Sequence, residues 1–236
     1  MTSLTIPADA RGKEAYFMKF GGTYTDTYCR SESELSVAGK IRYQAYQSVD
    51  AIESNERMEF LDKYDRQGNS ATCLINKQGE PVAAIRASVY AAEYDFAPTP
   101  CLEVYKEDLE RHMGDLNKTI VESNRFVVLP EITDSKKLFK LQFRFIILNA
   151  LKHNADYIVT AVRPRHVPFY RRIMMFPISD PKKYSGINVE MVLLAANSKD
   201  DLQKVIGQDP LYYVSQDEIE RYSIRSLVNK LKNKNI

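Results

Sequence analysis

Apolar residues recur at three-and-four spacing through Leu138, Leu141, Phe145, Leu148 and Leu151. That is the period of one helix face, and it predicts an amphipathic helix over about 136–153. The same period in Leu35, Ala38, Ile41 and Ala45 follows Ser31-Glu-Ser-Glu34, which has capping-box spacing, and predicts a helix lasting to about Gln47. Arg42 and Tyr46 lie one turn apart on a neighbouring face of it. Other stretches carry β-type runs instead. Ala71–Asn76 and Val82–Tyr90, joined by Lys77-Gln-Gly79-Glu80-Pro81, predict a hairpin whose glycine permits positive φ. Further strands are predicted at 23–29, at Arg125–Leu129 before Pro130, at Asp156–Val162 and at Asn188–Ala196. Between them, 50–70 reads as an ordered polar loop, 98–113 as an insertion with one short helix, and Val167–Met174 as a short helix.

Strands and helices thus alternate, which predicts a mixed α/β sheet with helices packed on its faces. The 236 residues, 44% of them hydrophobic, suffice for one large domain with a buried core. The expected division is a poorly specified leader at 1–22, the sheet domain at 23–197, and a helical extension at 198–236. The extension carries a capping box, Ser215 with Glu218, ahead of Ile219, Tyr222, Ile224, Leu227, Val228 and Leu231. It would cover the domain or a partner subunit, which leaves a homodimer open.

Cys29, Cys73 and Cys101 are an odd, widely spaced set that suits a reducing compartment and argues against a disulfide framework. The N-terminus has no basic region before an apolar core, and no apolar run approaches the roughly twenty residues needed to cross a bilayer. A soluble, cytoplasmic protein is expected. His112, His153 and His166 are scattered without ligand spacing, so no metal is expected.

The formal charge is only +2, but eleven basic residues stand against two acidic ones between Lys136 and Lys183, a local +9. Lys136, Lys137, Lys140 and Arg144 follow a helical stripe; Arg163, Arg165, Arg171 and Arg172 form a second group. Such a field attracts an anionic partner. A nucleic acid is disfavoured, because no DNA- or RNA-binding signature accompanies the charge.

Four motifs carry a resemblance: Arg42 followed by Tyr46, Asp62-Lys-Tyr-Asp65, Arg86, and Glu122-Ser-Asn-Arg125-Phe-Val-Val128. A fifth, Phe169-Tyr170-Arg171-Arg172-Ile173-Met174-Met175-Phe176, is similar to the segment that closes the acyl-thioester side of GNAT enzymes. In order and spacing, roughly over 24–196, the chain resembles the GNAT-like fold, a mixed central sheet flanked by helices. Within it, the motifs are most like those of the autoinducer (acyl-homoserine lactone) synthases and N-acyl amino acid synthases. Three departures stand out. Phe60 occupies the place where autoinducer synthases carry Glu, with Glu59 one position off; Met175 stands where GNAT enzymes have Gly; and 130–137 lacks the glycine-rich pyrophosphate loop.

The resemblance implies an N-acyltransferase whose amine nucleophile attacks a thioester. Glu122 is the expected base, directly or through water, or else a structural partner of Arg125 or Arg86. Tyr170 is expected to protonate or position the departing thiol, as the resemblance implies. Arg42, Tyr46, Asp62, Asp65, Arg86 and Arg125 would form the acceptor side, where guanidiniums fix the loop and recognise a carboxylate. Phe126, Val128, Phe143 and Ile147 would line an acyl tunnel or pack the core. No permanently bound cofactor is implied. The co-substrate is an acyl-phosphopantetheine thioester, expected on an acyl carrier protein in preference to acyl-CoA, because the missing loop removes the cradle for CoA's diphosphate. Lys136, Lys137, Lys140, Arg144, Arg165, Arg171 and Arg172 would dock the acidic carrier. The expected product is an N-acyl amino acid. An acyl-homoserine lactone synthase, an acetyl-CoA N-acetyltransferase and a catalytically silent acyl-lipid or carrier-binding module remain alternatives.

Overall fold

A computed structural model describes residues 23–92, 98–184 and 186–221. The leader and positions Tyr222, Ile224, Leu227, Val228 and Leu231 lie outside the described residues.

Eight strands form the sheet: β1 (Tyr24–Tyr28), β2 (Ser70–Lys77), β3 (Glu80–Tyr90), β4 (Ile120–Val128), β5 (Tyr157–Val162), β6 (Phe176–Pro177), β7 (Lys182–Lys183) and β8 (Glu190–Asn197). Their order is β1-β2-β3-β4-β5-β8-β6, with β7 also on β8. Every pair is antiparallel except β4–β5. The helices are α1 (Glu32–Gln47), α2 (Pro100–Met113), α3 (Ser135–Lys152), α4 (Val167–Arg171), α5 (Leu202–Gln208) and α6 (Gln216–Arg221).

Both faces of the central strands are buried, and apart from a buried polar patch on one face these strands carry apolar residues on both parities. Cys73, Ile85, Val121, Ile158 and Leu194 pack with α3 through Leu138, Leu141, Phe145 and Leu148. The opposite parity meets α1 and α2: Leu74, Ala84 and Val127 join Ala38 and Ile41, while Ile120, Val159 and Leu193 join Tyr105 and Leu109. Ser31 caps α1 with the expected reciprocal bonds to Glu34. The extension packs into the α3 side of the core through Leu202, Val205, Leu211, Tyr212 and Ile219.

Three elements differ from expectation. β4 begins at Ile120, five residues before the predicted start, so Glu122 and Arg125 lie inside the strand and not at its mouth. The polar run Glu122-Ser-Asn-Arg125 hid it, since a buried polar ladder has no hydrophobic alternation. Within the 98–113 segment the helix runs 14 residues, Pro100–Met113, with a kink at Tyr105. The helix predicted at Val167–Met174 is limited to Val167–Arg171, after a 3-10 turn at Pro164–His166.

Arg125 sets the geometry of the centre. Its φ is +53°, which L side chains rarely adopt. The β3–β4 register shifts there, with Ala84 opposite Val127 but Arg86 opposite Asn124, so β4 carries an extra residue. Such a bulge bends its strand. The side chain of Gln142 on α3 staples the spot, donating to the carbonyls of Ala84 at 2.8 Å and Val127 at 3.0 Å. On the other edge of β4, pairing with β5 ends at Ser123–Thr160, although β4 runs on to Val128. The two strands therefore diverge beyond Thr160 and leave a wedge between them.

Candidate active site

The α1 face of the sheet holds a polar ladder. Cross-strand neighbours Thr72–Arg86–Asn124 and Ser70–Ser88–Glu122 occupy adjacent rungs of β2, β3 and β4. Arg42 reaches this layer from α1 and Asp62 and Asp65 from the loop before β2. The charges alternate as a chain: Arg42 to Asp65 at 2.7 Å, Asp65 to Arg86 at 3.0 Å, Arg86 to Asp62 at 2.5 Å and Asp62 to Arg125 at 2.6 Å. Burial pushes the Asp62 and Asp65 carboxyls up, but the guanidiniums outweigh it and hold both below the ordinary carboxylate range. Asp62 also starts the 3-10 turn Lys63–Arg66 with a capping box closed by Asp65. The chain of charges thus pins the loop to the sheet.

This corrects part of the acceptor-side expectation. Arg42 and Arg86 are fully buried and paired, so neither guanidinium faces an acceptor. Arg125 is the member of the chain that borders the wedge. Its guanidinium lies 4.6 Å from the centre of the Phe60 ring, and Phe60 packs edge-on against Tyr46. Phe60 thereby backs two residues of the cleft wall, whereas Glu59 turns away to accept from the Ser36 hydroxyl at 2.5 Å.

Glu122 is completely buried and pairs with neither Arg125 nor Arg86. Its Oε2 accepts from the Cys101 N–H at 2.9 Å. Its Oε1 accepts from the Asn124 side-chain amide and from the Tyr184 hydroxyl, both at 3.0 Å. Thr99 at the start of α2 makes no side-chain cap, and the Glu122 carboxylate supplies the acceptor that the helix N-terminus lacks. Asn124 is held in turn by Arg86, whose Nε donates to its Oδ1 at 2.6 Å.

The wedge between β4 and β5 is a cleft of about 580 Å³ including its open mouth. Tyr46, Arg125, Phe126, Arg163, Tyr170 and Tyr184 line it, with Asn124, Thr160 and His166. Glu122 is not on its wall; it stands one residue behind, beyond Asn124 and Tyr184. Burial, then Tyr46, raises the Tyr170 hydroxyl above the usual tyrosine value, so it remains protonated at neutral pH. Tyr170 packs against Phe139 of α3, which also touches Phe126 and Phe169. Phe143 and Ile147, expected along a tunnel or in the core, are core residues: Phe143 stacks on Phe139 and meets Tyr212 edge-on, and Ile147 is fully buried. Val128 packs on the α3 side of the core.

The basic stripe of α3 divides. Arg144 is buried; it donates to Glu218 at 2.6 Å and to the Tyr213 carbonyl at 2.7 Å, and Lys140 pairs with Asp209. Both tie down the extension, which takes Arg144 off the surface. Lys137 lies 4.8 Å from the Tyr24 ring. Lys136, Arg165, Arg171 and Arg172 are exposed. Tyr184, Asn124 and Phe60 were not named as site residues by the sequence motifs, whereas Arg163 of the second basic group lines the cleft. Asn124 was legible from its parity with Glu122; Tyr184, 62 residues away, had no local signal.

Solved structures of the same fold include FeeM, an N-acyl amino acid synthase from uncultured soil microbes, at 17% identity and TM-score 0.65, covering 78% of this chain and 96% of that one. The acyl-homoserine lactone synthase LasI aligns at 17% identity and TM-score 0.57, over 83% of this chain and 100% of its own. BjaI, a CoA-dependent acyl-homoserine lactone synthase, aligns at 14% identity and TM-score 0.56, over 85% and 92%. Among curated proteins, none matches. The family model for N-acyl amino acid synthase FeeM matches residues 37–197, the stretch that holds the charge chain, Glu122, the bulge and the cleft, and the chain belongs to this acyltransferase family.

Proposed function

We propose that this acyltransferase moves a fatty acyl group from an acyl carrier protein thioester to the amine of an amino acid, releasing an N-acyl amino acid. The observation that carries this reading is the Arg125 bulge, which opens an extended edge of β4 beside a cleft holding both a guanidinium and protonated tyrosines. A thioester arm laid along that edge meets backbone groups of β4 beyond the last β4–β5 pair, suited to the oxyanion of the tetrahedral intermediate. Phe126, on the aromatic cluster, offers an apolar wall for the acyl chain. Tyr170 is the donor for the departing sulfur.

Acceptor recognition rests on Arg125 and Arg163. Arg125 is bound by Asp62 but borders the cleft; Arg163 lines the cleft and has no ion-pair partner among the described residues. A free amino acid brings a carboxylate to them.

The fold itself serves CoA-dependent enzymes as well, as the likeness to BjaI illustrates, so the donor preference comes from other residues. The segment before α3 has no glycine, and Asp134 stands at the helix N-terminus, accepting from the Tyr24 hydroxyl at 2.6 Å and Lys77 at 3.2 Å. A carboxylate there repels a diphosphate from the place where the resemblance would put it. Exposed Arg165, Arg171 and Arg172 around the partly exposed Phe169 favour an acidic protein partner. The three free, buried cysteines and the carrier itself fit a cytoplasmic setting.

Mass spectrometry of the purified protein with long- and short-chain acyl carrier proteins, acyl-CoA and pooled amino acids tests this. The expected result is an N-acyl amino acid formed only with the carrier. Product from acyl-CoA alone overturns the donor assignment, and no product from any donor overturns the transfer.

A further inference from the structure

Glu122 is enclosed behind the cleft wall, yet the transfer requires the attacking amine to lose a proton. Two side chains stand between Glu122 Oε1 and the cleft, Asn124 and Tyr184, each at 3.0 Å from that oxygen and each on the cleft wall. The Asn124 amide is locked by Arg86, and its NH2 group holds the carboxylate and the Ser88 hydroxyl without exchanging a proton at neutral pH. A phenol both donates and accepts. Tyr184 is moreover held rigidly: its ring stacks on Tyr105 with centroids 6.3 Å apart, and Tyr105 is fixed by its own hydroxyl on the Met191 carbonyl at 2.7 Å.

We propose that Tyr184 is a catalytic residue, a relay that carries the proton of the attacking amine to Glu122. This rests on the acyl-transfer reading of the cleft. In the step, the amine nitrogen forms a bond to the thioester carbon and becomes positively charged. Its proton passes to the Tyr184 oxygen as the Tyr184 proton passes to Glu122 Oε1. Collapse of the intermediate breaks the C–S bond, and the thiolate takes a proton from Tyr170. The proton stored on Glu122 then returns through Tyr184 to water as Tyr170 is reprotonated. The products are an amide and a thiol, with no net change in the protein.

The assignment also accounts for a buried carboxylate in a site of this kind. A carboxylate on the cleft wall would compete with the acceptor's own carboxylate for Arg125 and Arg163. Held one residue back, Glu122 keeps its proton-accepting function while the surface presented to the acceptor stays positive.

The test is Tyr184→Phe, which keeps the ring and its stacking, assayed beside the wild type with long-chain acyl carrier protein and pooled amino acids. A fall in kcat of about 10²- to 10⁴-fold is expected, with KM for both substrates within about threefold. Aminooxyacetate is the second acceptor. Its nitrogen is weakly basic and its adduct gives up its proton to water readily, so the deficit of the variant should largely vanish with it. Turnover of amino acids by Tyr184→Phe within about threefold of wild type overturns the relay alone. A deficit that persists with aminooxyacetate assigns Tyr184 to packing and overturns the relay too. No turnover by the wild type with any donor overturns the acyl-transfer reading, and the relay with it.

Discussion

Arg125 and Asp62 meet through two N–H···O bonds to a single oxygen, Nε at 3.0 Å and Nη2 at 2.6 Å from Oδ2. The other oxygen of Asp62 receives Arg86 at 2.5 Å and the Tyr64 N–H at 2.9 Å. One carboxylate therefore holds a strained strand residue, a neighbouring strand and its own loop. Asp62→Asn keeps the shape and removes the charge, leaving Arg86 and Arg125 to repel each other with only Asp65 nearby. Breaking a buried ion pair costs about 3–5 kcal/mol; with Asp62 partly open to water the lower end applies. The melting temperature should fall by roughly 6–12 °C. A variant that melts with the wild type would show that the bulge is held by packing alone.

The same chain of charges, with the separate Arg144–Glu218 pair, sets an acid limit. Burial raises Asp62, Asp65 and Glu218, but their arginine partners outweigh it and leave all three below their ordinary values of 3.8, 3.8 and 4.5. A carboxylate depressed in the fold binds protons more readily when unfolded. Its contribution to stability is whole above the ordinary value and is lost as pH falls through the folded one. Below about pH 4.5 the melting temperature should decline through these ion pairs, with the Glu218 anchor of α6 weakening first. A melting temperature that rises on acidification would reverse the sign and remove the ion pairs as the cause.

The sheet and its flanking helices were legible because apolar period and capping chemistry act locally: Ser31 with Glu34, or Leu138 through Leu151, announce their element within a few residues. The order of motifs also brought Arg42, Asp62, Asp65, Arg86 and Arg125 together as one cluster. Their pairing was not legible. Which carboxylate takes which arginine depends on the face of each strand, and the bulge at Arg125 changes that face midway along β4. Glu122 was thus expected as the base or as a partner of Arg125 or Arg86, yet the strand pleat carries it away from both arginines to the start of α2 and to Tyr184. The α3 stripe erred for a related reason. Lys136, Lys140 and Arg144 share a helical face, but the acidic groups that meet the last two, Asp209 and Glu218, come from an extension far along the chain.

Arg144 should accordingly act as a clasp for the extension. Arg144→Met preserves the buried stem and leaves Glu218 and the Tyr213 carbonyl without their cation. Hydrogen bonds to charged groups contribute about 1.5–3 kcal/mol, so about 2 kcal/mol of local stability is at stake. Amide exchange across 216–221 should accelerate roughly 30-fold, while β3 and β4 change little. Equal acceleration throughout would mean that the extension and the sheet unfold as one unit.

Docking of the donor is best probed where the cations have no internal work. Phe139 on α3 packs 4.5 Å from Phe169 and 5.6 Å from Tyr170 on α4, ring centre to ring centre. Lys136 precedes Phe139 by about one turn, and Arg171 and Arg172 follow Tyr170 directly, so these exposed cations flank one aromatic cluster at the cleft. Replacing Arg171 and Arg172 together by Glu should raise KM for an acyl carrier protein at least tenfold and flatten its dependence on salt, since steering by exposed charge is screened. Lys136→Glu should do the same to a smaller extent, with kcat preserved in each case. Lys140→Glu is the contrasting variant: its effect should appear in the melting temperature through Asp209, with KM unmoved. If the Arg171 and Arg172 replacements raise KM equally for acyl-CoA, the cations serve a phosphate group and not a protein surface. An unchanged KM for the carrier would remove the docking site from this face altogether.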